Sequence, residues 1–124
     1  LRLITPPWVV GLPAQVAAVK ALEDRAYYER RHRETHELRD ELASGLSGLG
    51  WTVVPGCANF LLCRLPDSGC DAATLVERCR AKGLFLRDAS NMGAQMGDRR
   101  IRIAVKGAAE NRRAMAILRE ALRG

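Results

Sequence analysis

Two arginines, Arg87 and Arg102, are the residues whose type and position best suit the binding of a small anion. A guanidinium group holds a carboxylate or a phosphate through two parallel hydrogen bonds. Arg102 lies in RRIRIAV, residues 99–105, where isoleucine and valine occupy every second position. That alternation predicts a strand with one buried face and a polar opposite face. Arg87 ends LFLR, residues 84–87, which predicts a neighbouring strand, so the two side chains are placed to converge on one anion.

The same pattern also fits a sheet face that meets only water. On this interpretation Arg87 and Arg102 pair with the nearby acids Asp88 and Asp98 and bind no ligand. Arg100 shares the polar side of its strand with Arg102 and fits both interpretations. Spacing alone leaves both open.

Two histidines, His32 and His36, are four residues apart on a predicted helix and therefore share one face of it. Their order in HRETH differs from the H-E-x-x-H order of zinc proteases. Arginine and glutamate residues surround them, which predicts a solvated helix face and no metal site.

The cysteines form no C-x-x-C pair of the kind that zinc sites use. We therefore expect no metal there, and reduced thiols in a cytoplasmic protein. The four residues are Cys57, Cys63, Cys70 and Cys79.

Three further residues have types that suit a site. Asn59 lies in an apolar predicted strand, and we expect a structural hydrogen bond to a nearby loop. Met92 and Met96 lie in a glycine-bearing predicted loop, and the sequence does not decide whether they contact a ligand or the core.

The charge balance argues against nucleic acid as a partner. The net charge is +6, but acids are mixed with the arginines almost everywhere, as in residues 26–42. Mixed signs on a helical pattern indicate a solvated face, and no nucleic-acid-binding motif is present.

The sequence contains no apolar run of the length that a membrane span needs. Residues 1–15 lack the features of a signal peptide, and residue 1 is not Met. We expect this sequence to be part of a longer protein.

Four helices are predicted. The first has Pro13 in its first turn, and the second runs from an N-cap at Asp24 to a stop at Gly50. The third begins after Asp71 and closes at Gly83, and the fourth lies at the C-terminal end. The positions predicted to face inward on the fourth helix are Asn111, Met115, Leu118 and Leu122.

Four strands are predicted, at residues 51–54, 58–65, 84–87 and 99–105. The second is apolar on both faces, which predicts a central position. A loop, not a helix, joins the last two, which predicts an antiparallel pair. The fold class is therefore α+β: a small, mainly antiparallel sheet of about four strands with helices packed on one face, preceded by a long helical segment.

Four segments in a particular order carry a resemblance to a known family. They are PPWVVGLPAQVAAVKAL, GCANFLLCRL, LFLRD and RIRIAVKGAAENRRAMAIL. Together they resemble the C-terminal third of fold-type I aminotransferases that depend on pyridoxal phosphate. The subgroup most similar is that of histidinol-phosphate aminotransferase and threonine-phosphate decarboxylase.

The resemblance implies that residues 1–124 are the small domain of such an enzyme, with residues 1–11 as an arm that packs on the large domain. It implies that Arg102 holds the carboxylate of the substrate and that Arg87 faces its phosphate end. The implied reaction moves an amino group between an amino acid and a keto acid, as in amino-acid biosynthesis. A homodimer is implied for the complete enzyme.

Pyridoxal phosphate is the cofactor implied for the complete enzyme, but no cofactor-binding or catalytic residue of the family matches this chain. Lys20, Lys82 and Lys106 do not match the Schiff-base motif. We therefore expect the chain alone to be inactive and to bind no cofactor. The alternatives are a pyridoxal-phosphate-dependent decarboxylase of a phosphorylated amino acid and a non-catalytic module that binds a small anion.

Overall fold

The structure is a computed structural model that describes residues 10–123. Most of the arm predicted for residues 1–11 therefore lies outside the described residues. The chain divides into two compact units, residues 1–33 and residues 34–124.

The first unit contains helix α1, Leu12–Glu23, with Pro13 in its first turn as expected. None of the residues of α1 is buried. Helix α2, Arg25–Ser47, begins after Asp24, whose carboxylate accepts a hydrogen bond from the Tyr27 backbone N–H at 3.2 Å. This contact confirms the predicted N-cap.

The second unit contains a four-stranded antiparallel sheet with the strand order β1-β2-β4-β3. β2 is therefore central, as predicted, and β3 and β4 are antiparallel. The elements are β1 Thr52–Val53, β2 Phe60–Arg64, α3 Ala72–Ala81, β3 Arg87–Asp88, β4 Arg100–Ala104 and α4 Ala108–Ala121. This arrangement confirms the α+β fold class.

Alternate residues of the two central strands form the floor of the core. Leu61 and Cys63 of β2 and Ile101 and Ile103 of β4 are all at most 4% exposed. Helices α3 and α4 and the second half of α2 pack on this face. The residues that they contribute to the same cluster include Leu42, Leu46, Leu75, Cys79 and Leu118.

The third strand differs from its predicted bounds, residues 84–87. Gly83 has a left-handed φ of +75° and ends helix α3, while the Leu84 backbone N–H donates to the Cys79 carbonyl at 2.9 Å. The backbone of residue 84 therefore caps the end of α3, and pairing with β4 starts only at Arg87. Arg87 therefore begins the strand that it was expected to end.

The other differences are small. Leu122 was predicted to face inward, but it is 36% exposed. The neighbouring residue Ala121 is buried in its place. The remaining strands are shorter at their ends than predicted. No helix between residues 10 and 123 combines the length and apolar composition needed to cross a membrane.

Candidate functional site

Arg87 and Arg102 lie directly opposite each other on neighbouring strands. They are register partners in the β3–β4 pair, which places both on the sheet face away from the core. Cβ atoms of such partners are about 5 Å apart. Arg102 is half-buried and Arg87 is exposed. The structure therefore brings together the two arginines that the sequence singled out.

Neither arginine forms an ion pair with another residue between 10 and 123, so the pairing with Asp88 and Asp98 that the water-facing interpretation predicted is absent. Asp88 is the register partner of Ile101, on the core side of the sheet. Its carboxylate accepts a hydrogen bond from the Ser90 backbone N–H at 2.8 Å. Two like charges opposite each other destabilise a sheet, and a bound anion would remove that cost.

Arg102 has an aromatic neighbour on the other central strand. Its Cζ lies 4.0 Å from the centroid of the Phe60 ring. A guanidinium over the negative face of a ring is attracted to it electrostatically. Arg102 thus has an aromatic contact, although no carboxylate within the described range holds it.

The same sheet face, which we call the open face, carries a second pair of arginines. Arg64 and Arg100 are register partners in the β2–β4 pair. Arg64 forms an ion pair with Asp67, and Arg100 Nε donates to the Met96 carbonyl at 3.1 Å. These contacts occupy the second pair, so Arg87 and Arg102 are better placed to receive a ligand.

Arg99 is not part of this face. It donates hydrogen bonds to the carbonyls of Pro66, Gly69 and Cys70 at 2.8–3.4 Å. Its guanidinium therefore holds the loop between β2 and α3 and has a structural role.

Arg39 is a buried residue that the sequence analysis placed wrongly on a solvated helix face. It is 6% exposed, and its Nη1 donates to the Phe60 carbonyl at 2.6 Å and to the Ala58 carbonyl at 2.9 Å. The last backbone hydrogen bond between the β1 segment and β2 is donated by the Val54 N–H to the Leu62 carbonyl. The chain then leaves the sheet at Pro55, which has no N–H. No backbone N–H of the β1 segment therefore reaches the Ala58 and Phe60 carbonyls, and the Arg39 guanidinium donates to them instead.

Asn111 holds the end of β4 against the start of α4. Its side-chain amide accepts from the Lys106 backbone N–H and donates to the Lys106 carbonyl, both at 3.0 Å. These two hydrogen bonds satisfy the N–H and the carbonyl of Lys106, as a neighbouring strand would, just after β4 ends. The helical spacing correctly placed Asn111 inward but did not indicate its partner.

The other candidate residues do not join the site. The Asn59 side chain is exposed and makes none of the hydrogen bonds found among the described residues, so the bond expected for it is absent there. Met92 is exposed and Met96 is half-buried. His32 and His36 are exposed, and within residues 10–123 no three potential metal ligands come together.

The four cysteines are free thiols. Burial raises the pKa of Cys63 to about 12 and that of Cys79 to about 11. Both thiols therefore stay protonated at neutral pH and act as small apolar core residues.

The described lysines do not fit a pyridoxal phosphate site. An imine-forming lysine needs its neutral amine in a desolvated pocket. Lys20 instead forms an exposed ion pair with Glu23 at 2.8 Å, and Lys82 pairs with Glu120 at 2.6 Å. Lys106 is exposed as well.

Comparison with known proteins adds to this geometry. The family model for aminotransferase class I and II matches residues 1–122. A histidinol-phosphate aminotransferase of Nitratidesulfovibrio vulgaris is 34% identical over 122 residues, which are 98% of this chain and 31% of that protein. The chain thus spans about a third of the length of the curated relatives it matches.

Solved structures show the same fold. The histidinol-phosphate aminotransferase of Clostridium acetobutylicum superposes with a TM-score of 0.81 at 23% identity, covering 98% of this chain and 36% of that one. The L-threonine-O-3-phosphate decarboxylase of Porphyromonas gingivalis gives a TM-score of 0.66 at 26% identity, covering 99% and 38%. Because the family model matches nearly the whole sequence, this chain belongs to the class I and II aminotransferases, a family of pyridoxal-phosphate-dependent enzymes.

Proposed function

We propose that this chain is the substrate-binding small domain of an aminotransferase that moves an amino group between an amino acid and a keto acid. The observation that supports this function is the pair of opposed arginines on the open face, Arg87 and Arg102, neither of which has an acidic partner among residues 10–123. Arg102 binds the substrate carboxylate, and Arg87 binds a second anionic group such as a phosphate.

The role of Arg102 is to orient the substrate. A carboxylate held by two parallel hydrogen bonds can rotate little, so the bonds at the neighbouring carbon take a fixed direction. Pyridoxal phosphate supplies the electron sink of the family's chemistry when it is bound. In this proposal the imine-forming lysine and the rest of the cofactor site come from another part of the complete enzyme.

The chain alone is then expected to form no imine with pyridoxal phosphate. The lysines it contains are exposed, and two of them are held by carboxylates. The measurement is absorbance in the imine band after addition of the cofactor, followed by borohydride trapping. A stoichiometric adduct at a single lysine would overturn this part of the proposal.

The complete enzyme is proposed to be a cytoplasmic homodimer. The thiols support the compartment, because all four are free. The family supports the dimer. Sedimentation of the complete enzyme tests its oligomeric state, and a monomer at micromolar concentration would count against it.

The decisive experiment is Arg102→Lys in the complete enzyme. An ammonium group cannot reproduce the two-bond fork, so kcat/KM for the amino acid should fall roughly 30- to 1,000-fold, or about 2–4 kcal/mol. The free energy of unfolding should hardly change, because Arg102 contributes no side chain to the core cluster. The matched control is Arg112→Lys on the exposed side of α4, which should be silent. Arg99→Lys is unsuitable as a control because Arg99 holds three carbonyls.

Full activity in Arg102→Lys together with a lower melting temperature would assign Arg102 a structural role. Full activity with unchanged stability would show that the open face meets only water. Either result removes the proposed function of Arg102.

Decarboxylation of a phosphorylated amino acid is the second candidate function. It is favoured by the fold shared with the L-threonine-O-3-phosphate decarboxylase. The two reactions differ in their products, since a decarboxylase releases carbon dioxide and an aminotransferase converts a keto acid to an amino acid. Assay of both products with the same substrate panel distinguishes them.

A further inference from the structure

The ring of Phe60 is the side-chain partner recorded for the Arg102 guanidinium among the described residues. The two residues are not register partners: Phe60 is opposite Ala104, and Arg102 is opposite Leu62. They are therefore diagonal neighbours, a separation that an aromatic ring and a long side chain can bridge. The separation of 4.0 Å between Arg102 Cζ and the ring centroid places the guanidinium over the ring.

This contact matters because the charges around Arg102 do not hold it in place. Arg87, its register partner on β3, carries the same charge. The remaining register partner, Leu62, is apolar. The π face of Phe60 is thus the favourable electrostatic contact for this cation within the described structure. Ring stacking leaves the in-plane N–H groups of a guanidinium directed outward, where a carboxylate binds them.

Two neighbours preserve this arrangement. Ala104, opposite Phe60, has only a methyl side chain and leaves room for the guanidinium beside the ring. Arg39 fixes the Phe60 backbone from the other edge, with Nη1 2.6 Å from the Phe60 carbonyl. The ring is therefore attached to a residue of β2 that faces Ala104 of β4 on one side and whose carbonyl accepts from Arg39 on the other.

We propose that Phe60 is a positioning residue that stacks on Arg102 and holds its guanidinium in the orientation that binds the substrate carboxylate. This inference rests on the proposed function, since it assumes that Arg102 is the carboxylate anchor. Phe60 itself does not touch the substrate carboxylate in this arrangement.

The test compares Phe60→Leu, Phe60→Tyr and Phe60→Trp in the complete enzyme. The probe is whichever of the twenty L-amino acids the unsubstituted enzyme converts fastest. Phe60→Leu keeps an apolar side chain but removes the ring, and kcat/KM should fall roughly three- to thirtyfold, mainly through a higher KM. Phe60→Tyr and Phe60→Trp keep a π face and should stay within about twofold of the unsubstituted enzyme.

The matched control is Phe85→Leu. Phe85 is 77% exposed, and its ring is not among the described cation–π contacts, so the same substitution should leave kcat/KM unchanged. A second variant, Ala104→Leu, leaves Phe60 intact but fills the space beside its ring. It should raise KM as Phe60→Leu does, and it keeps the test valid if Phe60→Leu folds poorly.

Arg102→Lys, measured in parallel, distinguishes a failure of the positioning role of Phe60 from a failure of the proposed function. If Arg102→Lys is impaired while Phe60→Leu and Ala104→Leu are normal, the positioning role is wrong and the proposed function stands. If all three Phe60 variants are equally impaired, the residue acts through packing alone, and the positioning role is again wrong. If Arg102→Lys is normal, the proposed function and this inference fail together.

Discussion

The two faces of β2 and β4 differ in what their residues do. On the core face, Leu61 and Ile101 are fully buried and join the hydrophobic cluster. On the open face, one position further along β4, Arg102 is half-buried and contacts a ring. Because successive side chains of a strand point to opposite faces, the residues of the core and those of the proposed ligand site alternate along the same strands. A substitution on one face should therefore change one property and leave the other.

The largest expected effect on stability comes from the core face. Leu61→Ala removes a fully buried side chain and should lower the free energy of unfolding by about 2–5 kcal/mol. Urea denaturation measures this change. The control is Leu62→Ala on the open face, where the half-buried side chain should cost less. Equal losses at the two positions would contradict the division between the faces.

The next effect tests whether a buried arginine and an exposed arginine contribute differently to the free energy of unfolding. Arg39→Met leaves the Ala58 and Phe60 carbonyls without their donor and should cost about 2–4 kcal/mol of unfolding free energy. Arg112→Met, at an exposed position of α4, should change it by less than about 0.5 kcal/mol. Thermal or urea unfolding compares the two, and a stable Arg39→Met protein would show that water replaces the guanidinium.

A smaller effect is expected at the end of β4. Asn111→Leu removes both hydrogen bonds to Lys106 and should cost about 1–3 kcal/mol. The matched control is Asn91→Leu at an exposed turn position. If both variants unfold at the same urea concentration as the unsubstituted protein, Asn111 does not hold the strand end.

The smallest effect is a pH dependence that arises on the core face alone. Burial raises the pKa of Cys63 to about 12, from the value of 9.0 that is usual for an exposed thiol. Above pH 9 the unfolded thiol loses its proton while the folded one keeps it, so stability should fall as pH rises from 9 toward 12. The slope from this thiol is at most about 1.4 kcal/mol per pH unit. Urea unfolding at pH 8, 9 and 10 measures it, and Cys63→Ala should flatten the curve. Parallel curves for the two proteins would exclude this source.

Local patterns predicted the fold well. Alternation identified β4 and its two faces because the side-chain period of a strand is a local property. The sequence also predicted that the third helix begins after Asp71, and the Asp71 carboxylate caps it by accepting a hydrogen bond from the Thr74 backbone N–H at 2.8 Å. Family resemblance then supplied the role proposed for the arginines, which composition and spacing had left open.

Non-local properties were harder to predict. The placement of Arg87 opposite Arg102 depends on how the eleven-residue connection between their strands folds back. The burial of Arg39 was missed because its surroundings contain many charged residues of both signs. One signal was present, since Arg39 precedes Leu42 by three residues and Leu46 by seven and so shares their helix face. The carbonyls that accept from its guanidinium lie about twenty residues away in the sequence, so no local pattern predicts them.

The position of Arg39 has a consequence for self-association. Where β1 ends at Val53, the edge of β2 would otherwise present free carbonyl groups, and such an edge is a template for pairing with a strand of another molecule. The guanidinium occupies the Ala58 and Phe60 carbonyls and places a positive charge at that edge. A neighbouring chain would have to displace this charged group before it could extend the sheet. Loss of Arg39 should therefore expose these two carbonyls beyond the end of β1 and favour aggregation as well as unfolding.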